Sequence, residues 1–128
     1  MIEIAFNYKF HFTYENAIGV NGYITEKIIE TFLLCSVPIY YGAFNISSHI
    51  NSDCFIDFRN FDNYDDLYKF LSSMSNNEYL TYLDNIKAFL DGPEYYPFTT
   101  ECYTKTIISN IKSEILMNKC SKSEQLSN

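Results

Sequence analysis

Tryptophan is absent from these 128 residues, Arg59 is the only arginine, and there are just four glycines and three prolines. Nine basic residues stand against sixteen acidic ones, for a formal charge of −7. A general nucleic-acid binder neutralises phosphates with clustered Lys and Arg, so this balance argues against one. Any anion the chain holds must be held locally. No stretch approaches the roughly 18 consecutive apolar residues of a membrane span. The start MIEIAFNYKF lacks a charged leader followed by an apolar core, so neither a span nor a secretion signal is expected within the chain. The four cysteines form no CxxC pair, which removes the usual zinc and redox-dithiol spacings. Cys35, inside an apolar run, reads as a small core residue, and Cys120, in a polar stretch, as a free thiol. What is abundant is apolar and aromatic: 47% hydrophobic residues, with 12 Tyr and 11 Phe, describe a chain that folds around one core.

The pattern alternates strands and helices. Tyr8 to Tyr14 is aromatic-rich and β-like, and Ala17 to Gly22 with its Asn-Gly step is a loop. From about Ile24 to Leu34 the apolar positions Ile24, Ile28, Ile29, Phe32 and Leu33 recur at helical spacing, and Val37 to Tyr41 is a short apolar strand entered through Pro38. Strand, glycine loop, helix, strand is a βαβ unit, which crossover rules place in a parallel sheet. Cys54 to Phe58 reads as a third strand. Tyr64 to Met74 and Asn76 to Leu90 read as helices, the first with Asp65 and Asp66 at its positive end. Breaks at Asp91-Gly92-Pro93 and Pro97 precede a last helix, roughly Thr99 to Met117. The expected organisation is a lead-in (1–7), an α/β domain (8–92), a C-terminal helix (93–119) and a polar, disordered tail (120–128). Asn45-Ile46-Ser47 is a glycosylation sequon that matters only in a secretory lumen.

Chemistry concentrates in Tyr8 to Lys27, YKFHFTYENAIGVNGYITEK. Open α/β sheets bind ligands outside the carboxyl ends of their strands, at the start of the next helix. There, free N–H groups and the helix dipole favour an anion, and Lys27 adds a full charge. A phosphate suits such a place, although neither GxxxxGK[ST] nor GxGxxG is present. A merely solvated Glu-Lys first turn reads equally well from the residues alone. Asn16 can cap the turn after the strand, and Tyr23 can be a core aromatic with its hydroxyl at the surface. Glu15 reads as structural, and His11 and His49 as ordinary residues. No Asp-x-Asp triplet offers a metal site.

The order Tyr8-Lys9-Phe10, Tyr14-Glu15-Asn16, Tyr23-Ile24-Thr25-Glu26-Lys27 and Val37-Pro38-Ile39-Tyr40-Tyr41-Gly42, with Ser52-Asp53-Cys54-Phe55-Ile56 beyond it, resembles the C-terminal donor-binding half of the α-1,3/4-fucosyltransferases of glycosyltransferase family 10. The resemblance covers about residues 8 to 90. It implies a Rossmann-like three-layer half of a GT-B glycosyltransferase, a short parallel sheet flanked by helices. It implies a domain that binds GDP-fucose as substrate, with no metal or other cofactor, and passes fucose with inversion to a glycan hydroxyl. Lys27 is then expected to stabilise charge on departing GDP and Glu26 to meet donor hydroxyls or the developing oxocarbenium. Asn16 and Tyr23 are expected to hydrogen-bond the donor, and Gly42 to let backbone approach the nucleotide. The glycan acceptor and the general base belong to an N-terminal domain that these residues lack, so a fragment is expected. The rival expectation is a non-catalytic guanine-nucleotide-sugar binding module. Location follows the source: the lumenal side of the Golgi membrane in a eukaryote, the cytoplasmic or inner-membrane face in a bacterium.

Overall fold

The computed structural model describes residues 8–126, with side chains to Lys119; the expected lead-in and the Cys120 thiol lie outside the described parts. The chain divides into a unit ending at Glu94 and a second beginning at Tyr95.

The first unit is built on a parallel sheet of three strands in the order β1 (Phe10–Tyr14), β2 (Val37–Tyr41), β3 (Ile56–Asp57). Phe10 pairs with Val37 and each later residue follows in step to Tyr14 with Tyr41. Helix α1 (Glu26–Leu33) makes the crossover. It starts at Glu26 rather than Ile24 because the Thr25 side chain takes the N-cap position. Its stripe of Ile28, Ile29, Thr31 and Phe32 is buried, and the Thr31 and Thr13 hydroxyls meet at 3.1 Å, joining α1 to β1. Fully burying a side chain the size of Phe32 or Ile28 stabilises the fold by about 1.5–3 kcal/mol each.

Cys35 is not in the core. It is exposed, with φ +55°, as the residue after the Leu34 C-cap. Its N–H bonds to Phe32 O (3.0 Å) and that of Ser36 to Thr31 O (3.3 Å), a Schellman closure that usually employs glycine. The need to turn the chain sharply from α1 into β2 overrides the thiol's apolar preference. Buried Ser36 completes the corner by donating to Tyr8 O at 2.6 Å.

The third strand is shorter than the apolar run Cys54–Phe58 suggests. The Asn51 side chain accepts from Asp53 N and the Asp57 side chain from Arg59 N, so 3-10 turns at Ser52–Cys54 and Phe58–Asn60 consume the strand's ends. Helix α2 (Tyr64–Ser73) is capped by Asn63. Helix α3 (Asn76–Asp91) opens on a capping box, Ser75 with Glu78. Ring contacts between Phe32 of α1 and Phe89 of α3 (5.7 Å) and between Tyr40 and Phe55 (5.8 Å) close the core.

After a 3-10 turn at Pro93–Phe98, helix α4 runs from Thr100 to Leu126. The tail expected from residue 120 is therefore helical as far as Leu126. Ser, Lys, Glu and Gln are polar but do not break helices, and no Gly or Pro follows Pro97. Ile108, Ile111 and Ile115 on α4 are exposed. Among the described residues no helix is long and apolar enough to cross a membrane.

Candidate functional site at the carboxyl edge of the sheet

The site forms where β1 and β2 end. Tyr14, the last residue of β1, is followed by Glu15, whose N–H continues the ladder to Tyr41 O at 2.9 Å. Glu15 is only 4% exposed. Its carboxylate accepts from Thr25 N (2.9 Å) and Thr25 Oγ1 (2.7 Å), tying the start of α1 to the end of β1. The structural reading of Glu15 is thus realised, and the residue does more than terminate a strand: it fixes where Lys27 stands.

Lys27 lies in the first turn of α1, where a cation opposes the helix dipole at a cost of about 0.3–1 kcal/mol. Its half-buried side chain folds back over the strand end. Nζ donates to Tyr14 O at 3.0 Å and to Asn16 Oδ1 at 2.9 Å. An ammonium has three donors, so one stays uncommitted among the described residues, on a charge held at the carboxyl edge of the sheet. A local rule broken in this way is expected at functional or strained sites. Asn16 is exposed and orients the amine rather than capping its own turn. Glu26 is exposed at the first position of α1, and Tyr23 is 36% exposed at the loop's end, so it is not a core aromatic.

The loop between Asn16 and Tyr23 is pinned at two points. Gly19 N donates to Gly42 O (3.0 Å) and Gly22 N to Asn45 Oδ1 (2.7 Å). Both loop glycines have positive φ, +76° and +75°. Asn45, noticed in the sequence only as a sequon, is therefore an anchor of the loop; nothing in the local pattern signals this, because its partner lies 23 residues away. Gly42 is buried, and a Cβ there would meet Glu15 Cγ at 2.5 Å and Tyr40 Cζ at 2.7 Å. Internal packing by itself accounts for the missing side chain. Tyr40 Oη accepts from Ala43 N at 3.1 Å, and burial pushes its phenol above the ordinary value, so it stays protonated. The other cation near this edge, Arg59, is held by a fork on both Asp57 oxygens and lies over the Phe44 ring at 5.5 Å. Arg59 is thus neutralised by a carboxylate, whereas Lys27 touches only neutral oxygens and keeps an unpaired charge among the described residues.

The structure thus brings Asn16 and Lys27 into direct contact, sets Glu26 beside them on α1 and Tyr23 at the loop's far end, and packs Gly42 under Glu15. No group of three His, Cys, Asp or Glu suited to a metal occurs among the described residues.

A parallel βαβ sheet with an ammonium at its carboxyl edge is the architecture of half of a doubly wound α/β domain, a class that binds ligands outside the carboxyl ends of its strands. Comparison with known proteins narrows this. The model of glycosyltransferase family 10 (fucosyltransferase), C-terminal part, matches residues 1–124, and the chain belongs to that family. It is 38% identical over 98 residues to the α-(1,3)-fucosyltransferase FucT of Helicobacter pylori, covering 73% of this chain and 20% of that protein. It is 36% identical over 85 residues to 4-galactosyl-N-acetylglucosaminide 3-α-L-fucosyltransferase 9 of Mus musculus, covering 63% and 23%. A crystal structure of an α1,3-fucosyltransferase with GDP-fucose superposes with a TM-score of 0.55 at 35% identity, over 64% of this chain and 25% of the other. One with GDP gives 0.57 at 32%, over 64% and 24%. The fold is that of the Rossmann-like part of these GT-B enzymes. The chain spans a quarter or less of the length of these relatives.

Proposed function

We propose that this chain is the donor-binding portion of an α-1,3-fucosyltransferase and holds GDP-fucose at the carboxyl edge of its sheet. The observation that carries the reading is the Lys27 ammonium, fixed by Tyr14 O and Asn16 Oδ1 with a donor in reserve. In the proposed site that donor meets the diphosphate. Charge grows there as the fucose–phosphate bond breaks, so the fixed ammonium stabilises the departing GDP more than the intact donor. Asn16 holds the amine in position. Glu26 accepts from donor hydroxyls and Tyr23 bonds the donor from the far end of the loop; Gly42, packed under Glu15 and Tyr40, makes room for these side chains rather than for the nucleotide. The scheme uses no cofactor; GDP-fucose is substrate.

Inversion needs the acceptor hydroxyl deprotonated on the face opposite GDP. That base and the glycan acceptor fall to a further domain of the whole enzyme, so this chain by itself binds donor without turnover at enzymatic rates.

Calorimetric titration with GDP, GMP and ADP tests the reading. Guanine preference, a gain from the second phosphate, and a loss of about 10- to 100-fold on Lys27→Ala are expected, the size of one hydrogen bond to a charged group. Equal GDP affinity in the variant refutes it.

A further inference from the structure

A groove unrelated to Lys27 lies on the other side of the sheet, beside β3. Two adjoining cavities of about 490 Å³ and 450 Å³ share two walls, Phe70 of α2 and Tyr82 of α3. The size is that of a site for a small organic ligand. None of Asn16, Tyr23, Glu26, Lys27 or Gly42 lines either cavity, and β1, which carries the Lys27 anchor, is the opposite edge of the three-stranded sheet.

The lining chemistry is selective. No Lys or Arg contributes, so phosphates and other anions meet no side-chain cation there, in a chain of charge −7. Three carboxylates contribute, but two are engaged: Asp57 is clasped by Arg59 and Glu78 closes the capping box of α3. Only the Asp53 carboxylate is free of a hydrogen-bond partner among the described residues, too little charge for a basic peptide. The other polar groups are neutral hydroxyls and amides. Ser73 and Thr81 spend their protons on Phe70 O and Asn77 O and keep only acceptor capacity, while the Ser47, Ser52 and Tyr82 hydroxyls are uncommitted among the described residues. Asn60 and Ser52 have no side-chain partner among the described residues. Asn85 spends one N–H on Asp53 O (3.3 Å) and keeps its carbonyl. The walls are firm: the Phe70 ring packs on Phe61 at 5.3 Å. Burial keeps the Tyr82 phenol protonated and able to donate.

Flat aromatic walls facing uncommitted hydroxyls, amides and one carboxylate match a ligand with apolar ring faces and many O–H groups, uncharged. We propose that this groove binds a neutral oligosaccharide, as a glycan site separate from the nucleotide-sugar site and not dependent on it.

The test is titration of the ¹⁵N-labelled full chain with a neutral tetrasaccharide of alternating galactose and N-acetylglucosamine, followed by amide shifts. Expected are movements at Asp53, Asn60, Phe70 and Tyr82 with Gly19 and Gly22 unmoved, and a dissociation constant on the order of 1 mM. Asp53→Asn and Phe70→Ala, the latter partly exposed, each weaken binding about fivefold, the value of one ordinary contact, with the spectrum otherwise retained. Saturating GDP leaves the titration unchanged. Absence of shifts, shifts centred on the Gly19–Gly22 loop, competition by GDP, or tighter binding of an oligolysine peptide in the same groove each overturns the proposal. A failed saccharide titration with intact GDP binding leaves the donor reading standing.

Discussion

Removing the Glu15 carboxylate tests how this edge is assembled. Its two oxygens accept from Thr25 N at 2.9 Å and Thr25 Oγ1 at 2.7 Å in a setting where Glu15 is 4% exposed. Charge-assisted bonds of this kind are worth about 1.5–3 kcal/mol each against an unpaired partner. Glu15→Ala also opens a gap over Gly42 and Tyr40, while it relieves the desolvation of a buried carboxylate, so the net loss is about 2–4 kcal/mol. That is a large fraction of the 5–15 kcal/mol typical of a domain. Urea unfolding followed by far-ultraviolet circular dichroism reads the loss directly. Thr25→Ala removes the hydroxyl bond and the α1 cap but keeps the backbone one. The double variant therefore costs less than the sum of the singles by about 1 kcal/mol or more, the worth of the shared bond. Additivity within about 0.3 kcal/mol would mean the two residues do not act as one lock. GDP affinity supplies a second readout: if Glu15 sets the position of Lys27, Glu15→Ala weakens GDP binding although its side chain is too buried to touch the nucleotide.

Other substitutions bear on neighbouring parts of the argument. Gly42→Ala forces a methyl against Tyr40 and Glu15 and is expected to lower stability by about 1–3 kcal/mol in the same unfolding assay; a neutral outcome refutes the packing account of Gly42. Cys35→Gly relieves a left-handed backbone at φ +55° and is expected to raise stability by several tenths to about 1 kcal/mol. Burial pushes the Cys54 thiol from 9.0 up to about 11. The unfolded chain therefore ionises first, and Cys54 makes stability fall as pH rises from about 9 toward 11. Comparing melting temperatures of the protein and Cys54→Ala across that window isolates the contribution, because the tyrosines titrate in both. At pH 8 a disulfide-exchange reagent is expected to modify exposed Cys35 in the native protein and to reach Cys54 only after unfolding.

The readable parts of this fold are those set by local pattern. Strand β2 is a five-residue run of apolar and aromatic side chains, four of them buried, and α1 carries its buried stripe at helical spacing, so both stand close to where the local pattern puts them. The places where pattern misleads are those where a side chain binds the backbone a few residues on, as Asn51 and Asp57 do in trimming β3, or where topology demands a turn at Cys35. Composition misleads at α4, since polar residues suggest solvent without forbidding a helix. The site divides in the same way. The block from Tyr23 to Lys27 can be picked out because its order resembles a known family, and physics alone reads it only as a possible anion site. The contacts that give Lys27 its direction, from Tyr14 O and Asn16 Oδ1, and the lock at Glu15 span 10 to 13 residues across a loop closed by glycines. That loop is specified by bonds to Gly42 and Asn45, on the far side of α1 and β2 in sequence. A lysine placed against its own helix dipole is therefore the clue the sequence does contain: it costs stability unless an anion, or the carbonyls at a strand's end, compensate it, and here those carbonyls answer only two of its three donors.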